Sequence, residues 1–558
     1  MFTKIKAFFM AIIIALGSIS LIFRPAVPEA KNIDELAEKG VIINPVELAD
    51  KVYAIESGRI RADEMNTAIC LQGLVNREKA QLYIINGEVY RRYLNEICKD
   101  GIEVVRTDRD GNEWTLPLLI KEFKSYITDS GYVLYRNSEF AEGLNTAFNY
   151  STLKGWLAVP EEIKSIAEDC GLKLKKDISG EKYNYRFLKN FLKEYGDCFR
   201  KDAIVHIKSA QQGLRDLAIQ QNFLITYSDN TLSGRNYLKK VLNRTGGNTY
   251  VLGWGETERH FVKDVSGKGC AVIPADHSRN NSFLSAYTCA VPEQTGKGGH
   301  IKADPSKHYA AIVFSDGDNS QWIQNGFAEY YKKLNSYNDF PITWTYPLIQ
   351  QEISPVCSVF TYNAAGDNNC FAAGISGSGY MDPPSTDAKY LDRYTTDTAV
   401  MMKRSNIDIV SILEDEQSLI KTKEFEQNFD YFSRFENVKG GIVMLEPGKY
   451  AAGHGKVWFT NDKPFVSVRE SLWYNDVEGV EVPQEWIRQK AETVNSFAAD
   501  PASVDGYSII NVHPWTVSVE NLAYFVSLLD EHIELVTADQ LIDMISENVN
   551  RVTAEPKN

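Results

Sequence analysis

Histidine is scarce in this 558-residue chain, with 8 in all, and no two stand in a His-x-x-x-His spacing. Cysteine also numbers 8 and never forms a C-x-x-C pair. Tetrahedral zinc sites draw on closely spaced Cys and His, so no metal site is expected, and no cofactor either. Basic charge is in deficit as well: 60 Lys+Arg against 74 Asp+Glu leave a net charge of −14. A sequence-independent nucleic-acid binder needs clustered cations for the phosphates, and that class is set aside. Glycine pairs occur at Gly246–Gly247 and in the run 296–299, but without the frame of a phosphate-cradling loop. Internal repeats and low-complexity segments are absent. Only one stretch is long and apolar enough to reach into a bilayer, and it lies at the start.

There Lys4 and Lys6 precede an uncharged, mostly apolar run from Ala7 to Phe23, followed by Arg24 and small residues up to Ala30. This reads as a signal peptide, with an uncleaved anchor as the alternative, so residues 1–30 are excluded from the fold. A secreted or cell-surface protein is expected, with no other membrane contact. An exported chain with an even cysteine count permits disulfides, and Cys270–Cys289 and Cys357–Cys370 are the nearest pairs in sequence. Buried free thiols are the alternative.

What the chain does have is regular alternation. Residues 31–300 read as a segmented mixed α/β region, with strands at 81–86, 131–136, 203–207 and 248–253 and helices at 161–169 and 185–195. A Gly-, Pro- and Lys-rich stretch from Pro292 to Lys307 marks the boundary. Beyond it, in a second domain over 301–558, apolar runs recur at 309–314, 342–346, 370–375, 407–413, 440–445, 465–468 and 507–512, with an eighth at 533–536. Helical stretches at 322–334, 388–404, 418–435, 483–498 and 519–529 separate many of them. Continuous apolar strands covered on both faces, alternating with helices, predict an α/β protein whose C-terminal half is a (β/α) barrel of seven or eight strands. Lys456–Arg469 reads as a hairpin turning near Asn461-Asp462 and rimming the cleft.

The acidic excess sits in that half. Residues 306–558 carry 19 basic and 36 acidic side chains. This is either a solvated surface or a set of carboxylates converging on a cleft. The strand ends favour convergence: Asp316 and Asp318 follow the first strand, Glu414, Asp415 and Glu416 the fourth, Glu446 the fifth, Arg469-Glu470 the sixth and His513 the seventh. In a barrel such ends share one face, where active sites are built. Asp316, Asp318, Glu414 and Glu446 are the candidate catalytic carboxyls, since glycoside hydrolysis commonly needs two. Asn319, Trp344, Tyr380, Asp415, Arg469, Trp473, His513 and Trp515 are the candidate substrate-binding residues. Flat aromatic faces pack on sugar rings, and 6 of the 9 tryptophans lie beyond the boundary.

The segment Gly377-Ser-Gly-Tyr-Met-Asp-Pro383 resembles the signature of the GxGYxYP putative glycoside hydrolases, with Asp382 where the motif has its second Tyr. Phe314-Ser-Asp-Gly-Asp-Asn-Ser-Gln-Trp322, Thr343-Trp-Thr345 and the run from Asp505-Gly-Tyr507 to His513-Pro-Trp515 are similar to the same family. The resemblance implies a secreted bacterial protein with segmented N-terminal domains before a barrel-like catalytic domain, acting on an oligo- or polysaccharide. Phe314-Ser-Asp-Gly317 and Val512-His-Pro514 also resemble the opening and closing motifs of polysaccharide-deacetylase barrels. There Ser315 takes the place of the base and Asp316 that of a metal ligand. Two alternatives thus stand beside the glycosidase: a metal-dependent carbohydrate ester or amide hydrolase, and a non-catalytic glycan-binding surface protein.

Overall fold

The computed structural model describes residues 26–558 except 39, 138–141, 291–292, 295, 318, 328–332, 334–335, 337–339, 384–385, 415–422, 478 and 558. Three small parallel sheets come first. Glu47–Glu56 runs between Lys79–Ile85 and Glu103–Val105; Gly131–Tyr135 runs between Leu157–Pro160 and Lys173–Asp177; and a four-stranded sheet joins Ala203–His206, Leu224–Thr226, Thr249–Gly253 and Cys270–Ile273. Each is covered by helices, as parallel strands require. The signal segment expected over 1–30 lies almost wholly outside the described residues. No helix among them is long and apolar enough to cross a membrane.

The barrel follows. Its strands are β1 (His308–Phe314), β2 (Ile342–Tyr346), β3 (Asn369–Ala373), β4 (Ile409–Glu414), β5 (Gly440–Leu445), β6 (Lys463–Leu472), β7 (Tyr507–Val512) and β8 (Ile533–Val536). All seven residues of β1 and all six of β5 and of β7 are buried, which the uninterrupted apolar runs require. Parallel pairing runs in the order β2-β3-β4-β5-β6-β7-β1, and β1 closes the circle on β2. The closure is partial: Val313 and Phe314 pair with Thr343 and Trp344, while residues 308–311 pair instead with β8. Seven strands therefore make the barrel, and the eighth fills a split at its N-terminal end.

Two expectations change here. The hairpin is present, with Val457–Thr460 antiparallel to β6 and both Asn461 (φ 48°) and Asp462 (φ 63°) left-handed, the backbone that a tight two-residue turn demands. It pairs with the first residues of β6, however, so it lies at the closed end of the barrel and does not rim the mouth. The helix expected over 322–334 starts earlier, at Ser320–Trp322, and opens into a wide turn over Ile323–Phe327, with Gly326 at φ 132°; most of its remaining length lies outside the described residues. All 8 cysteines are free, five of them buried.

The four-stranded sheet docks on the barrel chiefly along its edge strand, Cys270–Ile273. Tyr380 and Val272 exchange both backbone hydrogen bonds, 2.7 and 2.8 Å. The Tyr250 hydroxyl meets Ser378 Oγ at 3.0 Å and Asp397 Oδ2 at 3.2 Å. Gln321, just after β1, donates its N–H to the Pro274 carbonyl and accepts the His277 N–H at 2.6 Å. Farther back, the Glu352 carboxylate accepts the N–H groups of Val41, Ile42 and Ile43 and pairs with Arg404, pinning the N-terminal strap to the barrel.

Candidate active site

The turn after β1 is held by a threonine from β2. Thr345 Oγ1 donates to the Phe314 carbonyl and accepts the Gly317 N–H, both at 2.8 Å. So close is this approach that a Cβ on Gly317 would stand 1.7 Å from the Thr345 carbonyl oxygen, which is why the position takes glycine. Asp316 is forced into the left-handed region (φ 62°), a conformation that Asp tolerates better than most residues. Its carboxylate turns toward the end of β7. His513 Nε2 lies 3.2 Å from Asp316 Oδ2, with both side chains largely buried. Oδ2 nevertheless accepts no aligned hydrogen bond from the described residues.

His513 is fixed on its other sides. Nδ1 lies 3.1 Å from Thr516 Oγ1, and the ring stacks on Trp473 with centroids 3.9 Å apart and planes 1° from parallel. Trp473 follows β6; its Nε1–H donates to the Asn475 carbonyl, and Tyr450 meets its ring edge-on at 5.3 Å. Lys449 Nζ reaches from the loop after β5 to the carbonyls of Trp473 and Tyr474, at 3.0 and 3.1 Å. Gly448, Lys449 and Tyr450 all have positive φ, of 99°, 56° and 75°. Two non-glycine residues in that region cost about 1–2 kcal/mol each, strain that only surrounding contacts sustain and that collects at functional sites.

Across the mouth stand the glutamates. Glu414 ends β4 fully buried, in register with Leu445 of β5, and its carbonyl accepts the Glu446 N–H at 3.0 Å. Glu446 itself is half-buried. Since β4 and β5 are each three strands from β1, by way of β2 or of β7, the circular order sets this pair opposite Asp316.

Several sequence-predicted residues belong elsewhere. Trp344 is 1% exposed, its ring stacked on Phe314 at 4.3 Å and its indole N–H donated to Asn369, so it offers no face to a sugar. Arg469 sits at a bulge inside β6, not at its end. The guanidinium reaches back to the Asp505 and Tyr507 carbonyls over the Phe497 ring, toward the closed end of the barrel. Tyr380 is buried in the interdomain seam, stacked with Trp254 and hydrogen-bonded to Glu258. Asn319 caps the short helix after β1 by accepting the Trp322 N–H. Trp515 packs on Trp322 at 4.3 Å, both half-buried. Asp318 and Asp415 lie outside the described residues. Sequence reasoning missed Thr345, Lys449 and Thr516. The Gly448-Lys-Tyr450 run just after Glu446-Pro447 was a signal for Lys449, and the Thr343-Trp-Thr345 motif one for Thr345; nothing marked Thr516. Asp276 and His277 were also missed: their loop meets Gln321, and burial pushes the Asp276 carboxyl above its ordinary range.

Among the described residues no group of three or more His, Cys, Asp or Glu is placed to hold a metal ion. Asp316 and His513 supply two donors, directly against one another.

Residues 306–546 match the GxGYxYP putative glycoside hydrolase C-terminal domain, 201–286 the GxGYxYP third domain and 130–195 the GxGYxYP_N second domain. In order, these matches follow the barrel, the four-stranded sheet and the sheet before it. A crystal structure of a putative hydrolase from Bacteroides thetaiotaomicron VPI-5482 is similar over 93% of this chain and 99% of its own, at 21% identity and a TM-score of 0.79. That likeness shows a shared fold across nearly the whole length. A putative polysaccharide deacetylase from Mycobacterium smegmatis aligns with 47% of this chain and 98% of its own at 10% identity, but its TM-score of 0.32 carries no argument. No curated protein matches the chain. With three of that family's domains matched in order, and the signature Gly377-Ser-Gly-Tyr380 joining barrel to sheet, the chain belongs to the GxGYxYP putative glycoside hydrolase family.

Proposed function

We propose that the chain hydrolyses glycosidic bonds of an oligo- or polysaccharide at the open mouth of the barrel, with Asp316 on one wall and Glu446, backed by Glu414, on the other. The observation that carries this reading is the strand order, which sets carboxyl groups from β1 and from β4 and β5 on opposite sides of one opening. Glycoside hydrolysis needs that arrangement: one carboxylic acid gives its proton to the leaving glycosidic oxygen, and the other carboxylate attacks the anomeric carbon or takes a proton from the attacking water. The half-buried Glu446 and the His513-backed Asp316 have different surroundings, the condition under which two carboxyls divide acid and base roles. Trp322 and Trp515 are only half-buried, and aromatic side chains suit the apolar side of a sugar ring. The apolar run after Lys4 and Lys6 supports action outside the cytoplasm, and N-terminal sequencing of protein recovered from the medium or cell surface tests that part.

The principal test is release of reducing ends from a panel of polysaccharides. Asp316→Asn and Glu446→Gln should each lower kcat by roughly 10²–10⁴-fold, the usual worth of a positioned acid or base. Hydrolysis that survives both substitutions overturns the assignment. Calorimetric binding of a glycan without turnover would identify a binding protein instead.

A further inference from the structure

Asp316 does not meet His513 by its own packing alone; the plane of the imidazole decides whether its N–H finds Oδ2. That plane is set by Trp473, whose ring lies 1° from parallel to it at 3.9 Å. Trp473 in turn has its backbone tied down from the neighbouring loop, where Lys449 Nζ holds the carbonyls of residues 473 and 474 at 3.0 and 3.1 Å. Lys449 and Tyr450 adopt left-handed backbone to make that reach, and Tyr450 closes on the edge of the same indole. Asp476 lies 3.9 Å from the ammonium and is mostly exposed, too far and too hydrated to explain the strain. The loops after β5, β6, β7 and β1 are thus linked in series, and the series ends at a carboxylate oxygen that is buried without an aligned donor among the described residues.

We propose that Lys449 and Trp473 are positioning residues for the His513–Asp316 pair: Lys449 fixes the loop that carries the indole, and the indole fixes the imidazole plane. Thr516 Oγ1 at Nδ1 and Asp316 Oδ2 at Nε2 then select one arrangement of the ring protons. Neither residue touches the reacting atoms. This assignment deepens the glycosidase reading and rests on it for its catalytic consequence, but not for its structural one.

Two measurements test it on the full chain. The first is the ¹⁵N spectrum of histidine-labelled protein, with His513 identified by the signals lost in His513→Asn. The wild type should show a single fixed tautomer, and Lys449→Met and Trp473→Leu should both move its ring shifts toward the averaged values of a free imidazole, with Lys449→Arg restoring them. The second is kinetics on a hydrolysed glycan: Lys449→Met should lower kcat about tenfold with KM within twofold, and Lys449→Arg should recover most of it. If wild-type protein hydrolyses nothing, the glycosidase reading falls while the spectra still decide the positioning role. Unchanged His513 shifts in Lys449→Met, in protein whose circular dichroism matches wild type, overturn the proposal.

Discussion

Gly317→Ala is the sharpest perturbation of the site, because its consequence follows from one distance. The added Cβ would lie 1.7 Å from the Thr345 carbonyl oxygen, whereas real Cβ contacts essentially never fall below 3.0 Å. Thr345 cannot give way: it lies within β2, paired with Ala372 of β3, and is almost wholly buried. The β1 turn must therefore retreat by more than an ångström, carrying Asp316 with it and opening the 3.2 Å contact to His513. Overpacking of this kind costs about 1–3 kcal/mol, which lowers the melting temperature by a few degrees in a domain of this size. Misplacing a catalytic group by an ångström costs on the order of 10²-fold in rate. The assay pairs a thermal melt with kcat on the hydrolysed glycan well below that melt. Wild-type kcat within twofold, in folded Gly317→Ala, would refute the claim that the Thr345 clamp places Asp316 for chemistry.

Other consequences are reachable without a substrate. In Glu352→Gln one carbonyl replaces a carboxylate that serves three backbone N–H groups and Arg404; losing charge-assisted bonds worth about 1.5–3 kcal/mol should speed amide exchange at Ile42 and Ile43 roughly 10–100-fold, and unchanged protection would count against the latch. Burial pushes the Asp397 carboxyl up to about 6 from an ordinary value of 3.8. The folded chain thus holds that proton more tightly than the unfolded chain, and the resulting stability, about 3 kcal/mol at full extent, is complete below pH ~4 and lost as pH rises through ~6. Asp397→Asn should flatten urea-unfolding stability across that window, and a slope equal to wild type would contradict the assignment. All 8 thiols should titrate in denaturant without reductant, with Cys198, the exposed one, reacting first in native protein; a lower count would reveal disulfides.

The sequence by itself determined the architecture and marked the strand ends that share the barrel mouth. Strands 342–346, 440–445, 507–512 and 533–536 stand where their apolar runs placed them, because a strand covered on both faces admits few polar residues and its ends are then sharp. Asp316, Glu414, Glu446, Trp473 and His513 were legible for the same reason: each follows such a run, and in a barrel the ends of parallel strands share a face. Only the tertiary structure decided which of the marked residues come together. Trp344 and Arg469 carry the right side chains, yet one lies in the core and the other reaches back along its strand from a bulge, and neither burial nor a bulge leaves a mark on local pattern. Tyr380, the centre of the family signature, is a seam residue because an edge strand of another sheet lies beside it. Thr345 and Lys449 gained their roles from partners 28 and 24 residues away. Periodicity reports which face of an element is dry; contacts between loops arise only once the strands have closed into a circle.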